Sequence, residues 1–346
     1  MPLEEPSWWY GAAQGGSLPE RLLAPVSAIY GSLVERRFKT AQPHRAKVPV
    51  ICIGNFTAGG TGKTPLTRFL IDGLGAQGKT AVCLSRGYGG SLGGPVWVDG
   101  ALHTAGDVGD EPLLIAQRAK VMVSRDRKLG VEAIVAASAA DAIVMDDGLQ
   151  NPSLAKDLSI AVVDARRGLG NGRVIPAGPL RARLLFQLGL VDCIVVMGPD
   201  PEGAEAPILS ELRKRFHGPV LRGEVAASGD TSWIAGRKLI AYAGIANPHR
   251  FYRLVESFTP ETVLRRSFRD HHAFTDAEAA QLLAEADALG ADLITTEKDL
   301  VRLAGASGAC ADLAARSRTL PISVAFDERD VVRLQALLDG ALKTRS

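Results

Sequence analysis

The stretch GNFTAGGTGKT, residues 54–64, decides the fold expected for this chain. It follows the apolar run VPVICI (48–53) and precedes PLTRFLIDGL (65–74), so a strand, a glycine-rich loop and a helix start come in succession. This is the layout of a phosphate-binding loop, in which backbone amides and the positive end of the helix dipole face phosphate oxygens. The alternative is a plain glycine turn that happens to contain a lysine.

The loop departs from the usual G-x-x-x-x-G-K-[ST] spacing at one position, because Thr57 stands where that pattern has its first glycine. Position 57 is the entry of the loop, where the turn is less demanding than at the glycines that follow. Lys63 would reach the β- and γ-phosphates of a nucleotide, and the Thr64 hydroxyl would hold Mg²⁺. The predicted nucleotide-binding residues are Thr57, Ala58, Gly59, Gly60, Thr61, Gly62, Lys63 and Thr64.

Short apolar, β-rich runs alternate with helical patterns along the chain. The runs are VICIG (50–54), TAVCLS (80–85), KVMVS (120–124), DAIVMDD (141–147), SIAVVDA (159–165) and DCIVVM (192–197). Near-continuous apolar strands separated by helices predict an α/β fold, a P-loop NTPase-like, mostly parallel sheet with helices on both faces.

A second α/β pattern follows the first. A strand and turn are predicted in 238–246, a helix with capping-box spacing in 275–290, and a further strand and loop in 291–299. We therefore expect a second, smaller α/β lobe. The expected ranges are an N-terminal helix region over 1–40 as part of the first domain, a P-loop core over 41–221 and the smaller lobe over 222–346.

Composition argues against several classes of protein. The net charge of the 346 residues is only +2, whereas a dedicated nucleic-acid binder would concentrate far more Lys and Arg. The four cysteines are widely spaced and form no CxxC pair, so neither a zinc site nor a disulfide framework is predicted.

The N-terminal region contains an apolar stretch with two interpretations. The chain begins acidic, unlike a secretory signal, and PSWWYG (6–11) precedes LLAPVSAIYGSLVERRFKT (22–40). The apolar part is shorter than the roughly 20 residues that a membrane-spanning helix needs. With aromatic residues before it and basic residues after it, the stretch would suit the lipid headgroup layer. A core-packing helix with a solvated basic end is the alternative.

Adjacent carboxylates end the predicted strand in DAIVMDDGLQ (141–150). Asp146 and Asp147, at the carboxyl edge of the sheet, would help to organise a metal ion that is bound to phosphates. An ordinary turn is the alternative, because Asp-Gly is common in turns. The presence of a phosphate-binding loop favours the metal role.

Three more carboxylates, Asp107, Asp110 and Glu111, stand just before a predicted helix, where such side chains commonly form caps. A kinase, however, needs a group that takes or orients the proton of the attacking hydroxyl. The stretch FRDHHAF (268–274) offers histidines that would tune or relay this proton, unless they are surface or structural residues.

Arginines recur in the glycine- and proline-rich loops. Solvation explains such side chains, and so do bidentate contacts to an anionic substrate. These residues are Arg86, Arg125, Arg127, Arg173, Arg181 and Arg183.

Taken together, these stretches resemble one family, the tetraacyldisaccharide 4′-kinases of lipid A biosynthesis. The resemblance covers nearly the whole chain. It rests on the ordered set PSWWY, LLAPVSAIYGSLVERR, GNFTAGGTGKTP, LSRGYGG, GDEPLLIA, DDGLQ, NGRVIPAGPLR, GIANPHRF, DHHAF and TTEKD. That family has Thr or Ser at the place of Thr57, so the unusual loop is a mark of the family.

The resemblance implies roles for single residues. Asp110 would be the base that acts on the hydroxyl, and His271 would pair with it across the cleft between the lobes. His272 stands where the family often has tyrosine, so it is an alternative to His271. Lys63 would be catalytic as well as phosphate-binding. The implied metal-binding residues are Thr64, Asp146 and Asp147, and the implied lipid-headgroup residues are Glu111, Arg127 and Arg181.

The resemblance also implies the reaction and its place. The γ-phosphoryl group of ATP, with Mg²⁺, would be transferred to the 4′-hydroxyl of tetraacyldisaccharide 1-phosphate, a lipid A precursor, to give lipid IVA. Because this substrate is embedded in lipid, the interfacial interpretation of residues 8–39 is favoured. The expected location is the cytoplasmic face of the bacterial inner membrane. A monomer that contacts the membrane surface and no nucleic acid is expected.

Two other functions would use a phosphate-binding loop. A switch ATPase that resembles the partitioning ATPases would not need the arginine-bearing loops or a carboxylate–histidine pair. A GTP-dependent regulator or metallochaperone would need an Asn-Lys-x-Asp stretch or a cysteine metal motif, and the sequence contains neither.

Overall fold

A computed structural model describes residues 5–11, 17–198 and 207–343. Of the acidic start expected from the sequence, Met1–Glu4 lies outside the described residues. The α-helices are α1 (Leu18–Thr40), α2 (Lys63–Ala76), α3 (Ala105–Val108), α4 (Asp110–Ala116), α5 (Arg127–Ala136), α6 (Leu184–Leu188), α7 (Pro207–Arg215), α8 (Pro248–Glu256), α9 (Asp276–Leu289), α10 (Glu297–Leu303), α11 (Gly308–Arg316) and α12 (Glu328–Lys343). The strands are β1 (Val50–Asn55), β2 (Ala81–Ser85), β3 (Val96–Trp97), β4 (Val121–Val123), β5 (Ala142–Asp146), β6 (Leu158–Asp164), β7 (Cys193–Met197), β8 (Val220–Ala227), β9 (Lys238–Ala243), β10 (Thr262–Ser267), β11 (Asp292–Thr295), β12 (Ser317–Thr319) and β13 (Ile322–Phe326).

The chain divides into two compact units, each built from stretches that are distant in sequence. Unit 1 comprises Met1–Leu84, Asp126–Val225 and Val324–Ser346, and unit 2 comprises Ser85–Arg125 and Ala226–Ser323. The ranges expected from the sequence placed 85–125 with the P-loop core and 324–346 with the smaller lobe. Because the chain passes from one unit to the other more than once, no single boundary describes them.

Unit 1 contains the parallel sheet that the apolar runs predicted. Its strands lie in the order β8-β7-β6-β1-β5-β2, and all of these pairings are parallel. Strands β1, β5, β6 and β7 are buried along their whole length, as both faces of a covered sheet require. The predicted α/β class and mostly parallel sheet are confirmed. The P-loop follows β1 at the carboxyl edge of this sheet, and β5 ends beside it.

Unit 2 has its own parallel sheet, in the order β10-β9-β11-β12. The helix that the sequence predicted over 275–290 is α9. Thr275 and Glu278 form its capping box, and Gly290 ends it in the left-handed conformation. Helix α4 packs beside α10, and Val301 of α10 joins the apolar cluster of Val108, Leu113 and Leu114. This packing brings the first residue of α4 close to the side chains of α10.

Helix α1 continues through Pro25 and buries its small and polar residues. Ser27 and Gly31 are buried, and the Ser27 hydroxyl accepts a hydrogen bond from the Ala177 amide at 3.0 Å. The side turned to solvent carries five large apolar residues. These residues, each more than half exposed, are Leu18, Leu22, Val26, Ile29 and Leu33. In the part of the chain that the structure describes, no helix combines the length and apolar character needed to cross a membrane.

Candidate active site

The P-loop has the backbone conformation that its glycines permit. Gly59 and Gly62 have φ angles of 92° and 95°, which side-chain-bearing residues rarely adopt. Gly62 directly precedes Lys63, the first residue of α2, so the loop leads into a helix N-terminus. Among the described residues, the buried hydroxyl of Thr61 has no hydrogen-bond partner, which suits a loop that receives an oxygen-rich ligand.

The entry of the loop explains why Thr57 is tolerated. Thr57 forms an isolated antiparallel bridge with Leu180, and the neighbouring Ala58 amide donates to the Pro179 carbonyl at 2.8 Å. The non-glycine residues with positive φ in the described chain do not include Thr57. The entry is therefore extended backbone and needs no glycine, as expected from the sequence.

The two predicted acidic residues lie next to this loop. Asp146 ends β5 and is in register with Ile53 of β1, the strand that leads into the loop. Its carboxylate accepts a hydrogen bond from the Thr67 hydroxyl of α2 at 3.3 Å. Asp147 follows with a φ of 48° and lies 3.7 Å from the Lys63 Nζ. Parallel strands that end at the same edge of the sheet thus bring both carboxylates to the phosphate-binding loop.

Cations control the ionisation of Asp147. Burial would raise its pKa, but Lys63 and Arg181 outweigh this effect and lower the pKa to about 2. Arg181 Nη1 donates to both carboxylate oxygens, at 2.9 and 3.0 Å, and Arg181 Nε donates to the Thr57 carbonyl at 3.1 Å. Arg181 therefore links the loop entry to an Asp147 that stays ionised near neutral pH.

The donor set fits Mg²⁺ bound together with a nucleotide. The described residues contain no group of three or more His, Cys, Asp or Glu residues that would form a cage for a metal ion. Mg²⁺ is usually held by one or two carboxylates, water and substrate phosphates rather than by such a cage. Thr64, Asp146 and Asp147 offer a hydroxyl and carboxylates beside the P-loop, which is this kind of donor set.

Arg127 is a buried side chain next to the end of β5. It is 2% exposed, and its guanidinium donates to the backbone carbonyl of Asp146 at 3.1 Å. The side chain thus supports the end of β5, and a contact between Arg127 and a lipid headgroup stays a prediction.

The second cluster is centred on Asp110, the first residue of α4. Gly109 precedes it with a φ of 90° and lies close to the Tyr88 carbonyl, so a side chain at position 109 would clash. Asp110 Oδ1 accepts a hydrogen bond from the Glu111 amide at 2.8 Å. Asp110 Oδ2 lies 2.9 Å from His271 Nδ1, which bears out the predicted proximity of these two residues.

The setting of this pair differs from the expectation in one respect. Asp110 and His271 both belong to unit 2, so the pair is not formed across a cleft between the two units. The reason is that Ser85–Arg125 packs with the later residues of unit 2. His271 has a φ of 55°, and its backbone amide donates to the Gly244 carbonyl at 3.1 Å, which holds the imidazole in place.

The two members of the pair shift each other's ionisation. Burial would raise the pKa of Asp110, but the hydrogen bond from His271 and the charges of Lys298 and Arg302 outweigh it and hold that pKa well below its usual range. The hydrogen bond to Asp110 is the largest cause of a raised pKa at His271, although burial opposes it. The ionised carboxylate therefore accepts the Nδ1 proton, and the tautomer keeps the lone pair on Nε2.

The neighbouring His272 has a different set of contacts. Its Nε2 lies 2.9 Å from a Glu278 carboxylate oxygen, and its ring stacks on Phe268 with centroids 4.9 Å apart. Glu278 belongs to the capping box of α9. His272 thus supports the start of a helix, and His271 is the histidine that contacts Asp110.

The nearby carboxylates divide in the same way. Asp107 accepts hydrogen bonds from the backbone and hydroxyl of Thr104, at 2.8 and 2.7 Å, and closes the capping box of α3. Glu111 instead forms an ion pair with Lys298 of α10. The capping interpretation therefore holds for Asp107.

Helix α10 contributes residues that the sequence did not single out. Arg302 donates to Asp110, and Lys298 pairs with Glu111, so the TTEKDLVR stretch supplies cations to both carboxylates. The i, i+4 spacing of Lys298 and Arg302 placed them on one helical face. Nothing in that spacing identified a partner almost two hundred residues earlier in the chain.

Known proteins are similar to this chain over nearly its whole length. The family model described as Tetraacyldisaccharide-1-P 4'-kinase matches residues 19–342. A tetraacyldisaccharide 4'-kinase of Nitrobacter winogradskyi is 43% identical over 344 residues, covering 99% of each chain. One of Methylobacterium sp. is 46% identical over 341 residues, covering 98% of each. The crystal structure of LpxK from Aquifex aeolicus in complex with ATP has a TM-score of 0.73 and 24% identity, and covers 93% of this chain and 99% of that one.

Proposed function

The chain belongs to the tetraacyldisaccharide 4′-kinase family, and from this premise we propose how its residues carry out the reaction. It is an ATP-dependent kinase that phosphorylates the 4′-hydroxyl of tetraacyldisaccharide 1-phosphate in lipid A biosynthesis, with lipid IVA as the product. The reaction forms a bond between the 4′-oxygen and the γ-phosphorus and breaks the bond from that phosphorus to the β–γ bridging oxygen. The hydroxyl loses its proton.

Unit 1 would hold ATP. The amides from Thr57 to Thr64 would surround the β- and γ-phosphates, and Lys63 would neutralise their charge. Lys63 is already 3.7 Å from Asp147, so it would exchange part of this ion pair for contact with phosphate. The dipole of α2 adds favourable potential at the same place.

Thr64, Asp146 and Asp147 would hold Mg²⁺. When bound, the ion would neutralise charge on the phosphates. Arg181 keeps Asp147 ionised and directed toward Lys63, and Arg127 supports Asp146 from behind. Both arginines thus contact the acidic pair and hold it in position.

Unit 2 would act on the hydroxyl. The Asp110–His271 contact carries this proposal. A buried carboxylate that lies 2.9 Å from a histidine nitrogen is suited to accept the proton of a hydroxyl group. Asp110 would accept the hydroxyl's hydrogen bond and act as the base. The hydroxyl proton would go to Asp110 Oδ1, because His271 Nδ1 already carries the proton that Asp110 Oδ2 accepts.

We also propose residues that contact the lipid headgroup. Glu111 lies beside Asp110 and forms an ion pair with Lys298, so both would be near an acceptor hydroxyl that Asp110 orients. Arg181, one quarter exposed at its side chain, offers a guanidinium to an anionic group while it holds Asp147.

We also propose that α1 rests on the cytoplasmic face of the inner membrane. With 3.6 residues per turn, its exposed apolar residues fall within about 80° of one another around the helix. An apolar stripe of this kind, next to the basic residues Arg36, Arg37 and Lys39, is typical of helices that lie in the lipid headgroup layer. A lipid-embedded substrate would then be within reach without leaving the membrane.

Incubation with ATP–Mg²⁺ and tetraacyldisaccharide 1-phosphate, followed by mass spectrometry of the lipid, tests the assignment. One added phosphate group is expected, and Lys63→Ala should abolish both ATP binding and transfer. The matched control is Lys128→Ala, because Lys128 is an exposed lysine of α5. ATP hydrolysis that is independent of lipid, with no phosphorylated lipid, would instead indicate a switch ATPase.

A further inference from the structure

Arg302 joins Asp110 to a second buried carboxylate. Its Nε donates to Asp110 Oδ2 at 2.8 Å, and its Nη2 contacts the same oxygen. Its Nη1 donates to Asp299 Oδ1 at 2.7 Å and to the Gly244 carbonyl at 2.6 Å. The side chain of Arg302 is 6% exposed, and those of Asp110 and Asp299 are 4% and 0% exposed. One planar guanidinium therefore holds two carboxylates and a backbone carbonyl in fixed positions.

The same carbonyl ties the histidine into this arrangement. Gly244 accepts from both Arg302 and the His271 backbone amide, and its own amide donates to Asp299 at 3.0 Å. His271, Arg302 and Asp299 are thus connected through the backbone of one residue, Gly244. A shift of the guanidinium would displace the carboxylate and the imidazole together.

The contacts on Asp110 are divided unequally between its two oxygens. Oδ2 is shared by His271 and Arg302, whereas Oδ1 accepts the adjacent Glu111 amide. A carboxylate oxygen has two lone pairs, so Oδ1 retains capacity for a hydroxyl donor. The orientation of Asp110 in which Oδ1 can serve the acceptor is the one that Arg302 stabilises.

Resting on the proposed function, we propose that Arg302 is a positioning residue of the kinase: it fixes Asp110 with Oδ2 toward His271 and Oδ1 available to the acceptor hydroxyl. It also sets how tightly the Asp110–His271 pair holds a proton. With His271 neutral, two carboxylates and one guanidinium leave this buried cluster with a net charge of −1. Protonation of His271 at Nε2 makes the cluster neutral, so the cluster favours a protonated His271.

The effect of removing Arg302 has a definite sign. The charged groups that face the pair are Arg302 and Lys298 from α10, Asp299 beside Arg302, Asp270 next to His271, and Glu111 next to Asp110. Arg302 lowers the pKa of Asp110 and also lowers that of His271. Its loss should therefore raise both, and the pair should retain its proton to higher pH.

The test compares Arg302→Met with Arg302→Lys. For Arg302→Met, we expect kcat to fall at least tenfold with little change in the KM for ATP, and the acidic limb of the kcat–pH profile to move to higher pH. Arg302→Lys keeps the charge but loses the forked geometry. It should keep the limb near its wild-type position while kcat falls several-fold. Arg316→Met, which removes an exposed arginine of unit 2 paired with Asp287, should leave both quantities unchanged.

A direct titration separates this proposal from the proposed function. NMR of the His271 imidazole, assigned by its loss in His271→Gln, should show a higher pKa in Arg302→Met than in the wild type. An unchanged His271 titration and an unmoved pH limb would reduce Arg302 to a structural residue. If wild-type protein phosphorylates no lipid, the proposed function fails, yet the titration still decides the link from Arg302 to His271. If Arg302→Met does not fold, Arg302→Lys tests the positioning role on its own. A kcat of Arg302→Lys equal to that of the wild type would overturn that role.

Discussion

Arg181 and Asp147 are joined through a single guanidinium nitrogen, which donates to both oxygens of the carboxylate. The other guanidinium contact of Arg181, from Nε to the Thr57 carbonyl, reaches the entry of the P-loop. The loop and the acidic residue are therefore braced by one side chain. Since Lys63 also lies near Asp147, a change in the charge at Asp147 should alter the electrostatic potential throughout the nucleotide site.

Asp147→Asn tests the acidic pair. The substitution keeps the size of the side chain but removes the charge proposed to hold Mg²⁺, so turnover should fall about 100-fold or more at saturating ATP. The Mg²⁺ concentration needed for half-maximal activity should rise. Steady-state rates over a Mg²⁺ titration provide the measurement, and Glu132→Gln, on the exposed side of α5, is the control. Wild-type rates at every Mg²⁺ concentration would remove Asp147 from the site.

A comparison of Asp110→Asn with Asp107→Asn tests which carboxylate is the catalytic base and which one only caps a helix. These carboxylates are three residues apart, but Asp110 contacts His271 and Asp107 caps α3. Asp110→Asn should reduce kcat by about 10²- to 10⁴-fold and leave the Kd for ATP within about twofold. Asp107→Asn should retain turnover, because the contacts of Asp107 with Thr104 lie within the capping box of α3. Equal losses of turnover and ATP binding in Asp110→Asn would contradict the base role.

The acidic limb of the activity profile should belong to the Asp110–His271 pair. As pH falls, His271 becomes imidazolium, and its positive charge weakens Asp110 as the acceptor of the hydroxyl proton. Because the His271 pKa is raised from its ordinary value of 6.5, activity should decline already at a pH above 6.5. The kcat–pH profile measures this. His271→Gln should lower kcat and abolish this limb, and an unaltered limb in that variant would assign it to another group.

The apolar stripe of α1 should determine membrane binding. Leu22→Glu combined with Ile29→Glu replaces two of its exposed side chains, each worth about 1.5–3 kcal/mol when fully buried in lipid. Binding to anionic vesicles in a flotation assay should weaken at least tenfold, with activity on detergent-dispersed substrate retained. Leu102→Glu with Leu289→Glu changes two exposed leucines outside α1 and should have no effect on flotation. Equal binding of both double variants would show that α1 is not the contact.

The P-loop and the parallel sheet were predictable because they depend on neighbouring residues. Apolar runs that alternate with helical patterns predict buried strands. Gly59 and Gly62 adopt positive φ angles, which glycine reaches for local steric reasons. The positions of Asp146 and Asp147 were also predictable, since parallel strands end at the same edge of a sheet, and Asp146 ends β5 with Asp147 directly after it. The burial of Arg127 was not predictable from its neighbours in the sequence. Its sequence neighbours resemble a solvent-facing loop, while its side chain points inward to the Asp146 carbonyl.

The amino-acid sequence by itself determined the nucleotide loop, the α/β class and the family of this protein, because these are encoded in short, ordered patterns. Only the tertiary structure decided that His271 rather than His272 contacts Asp110, and that Arg302 braces the pair. Asp110 is 161 residues from His271 and 192 from Arg302 along the chain. Contacts over such separations depend on how α4 packs against α10 and on where the backbone at Gly244 turns, and those geometries result from the packing of the whole unit.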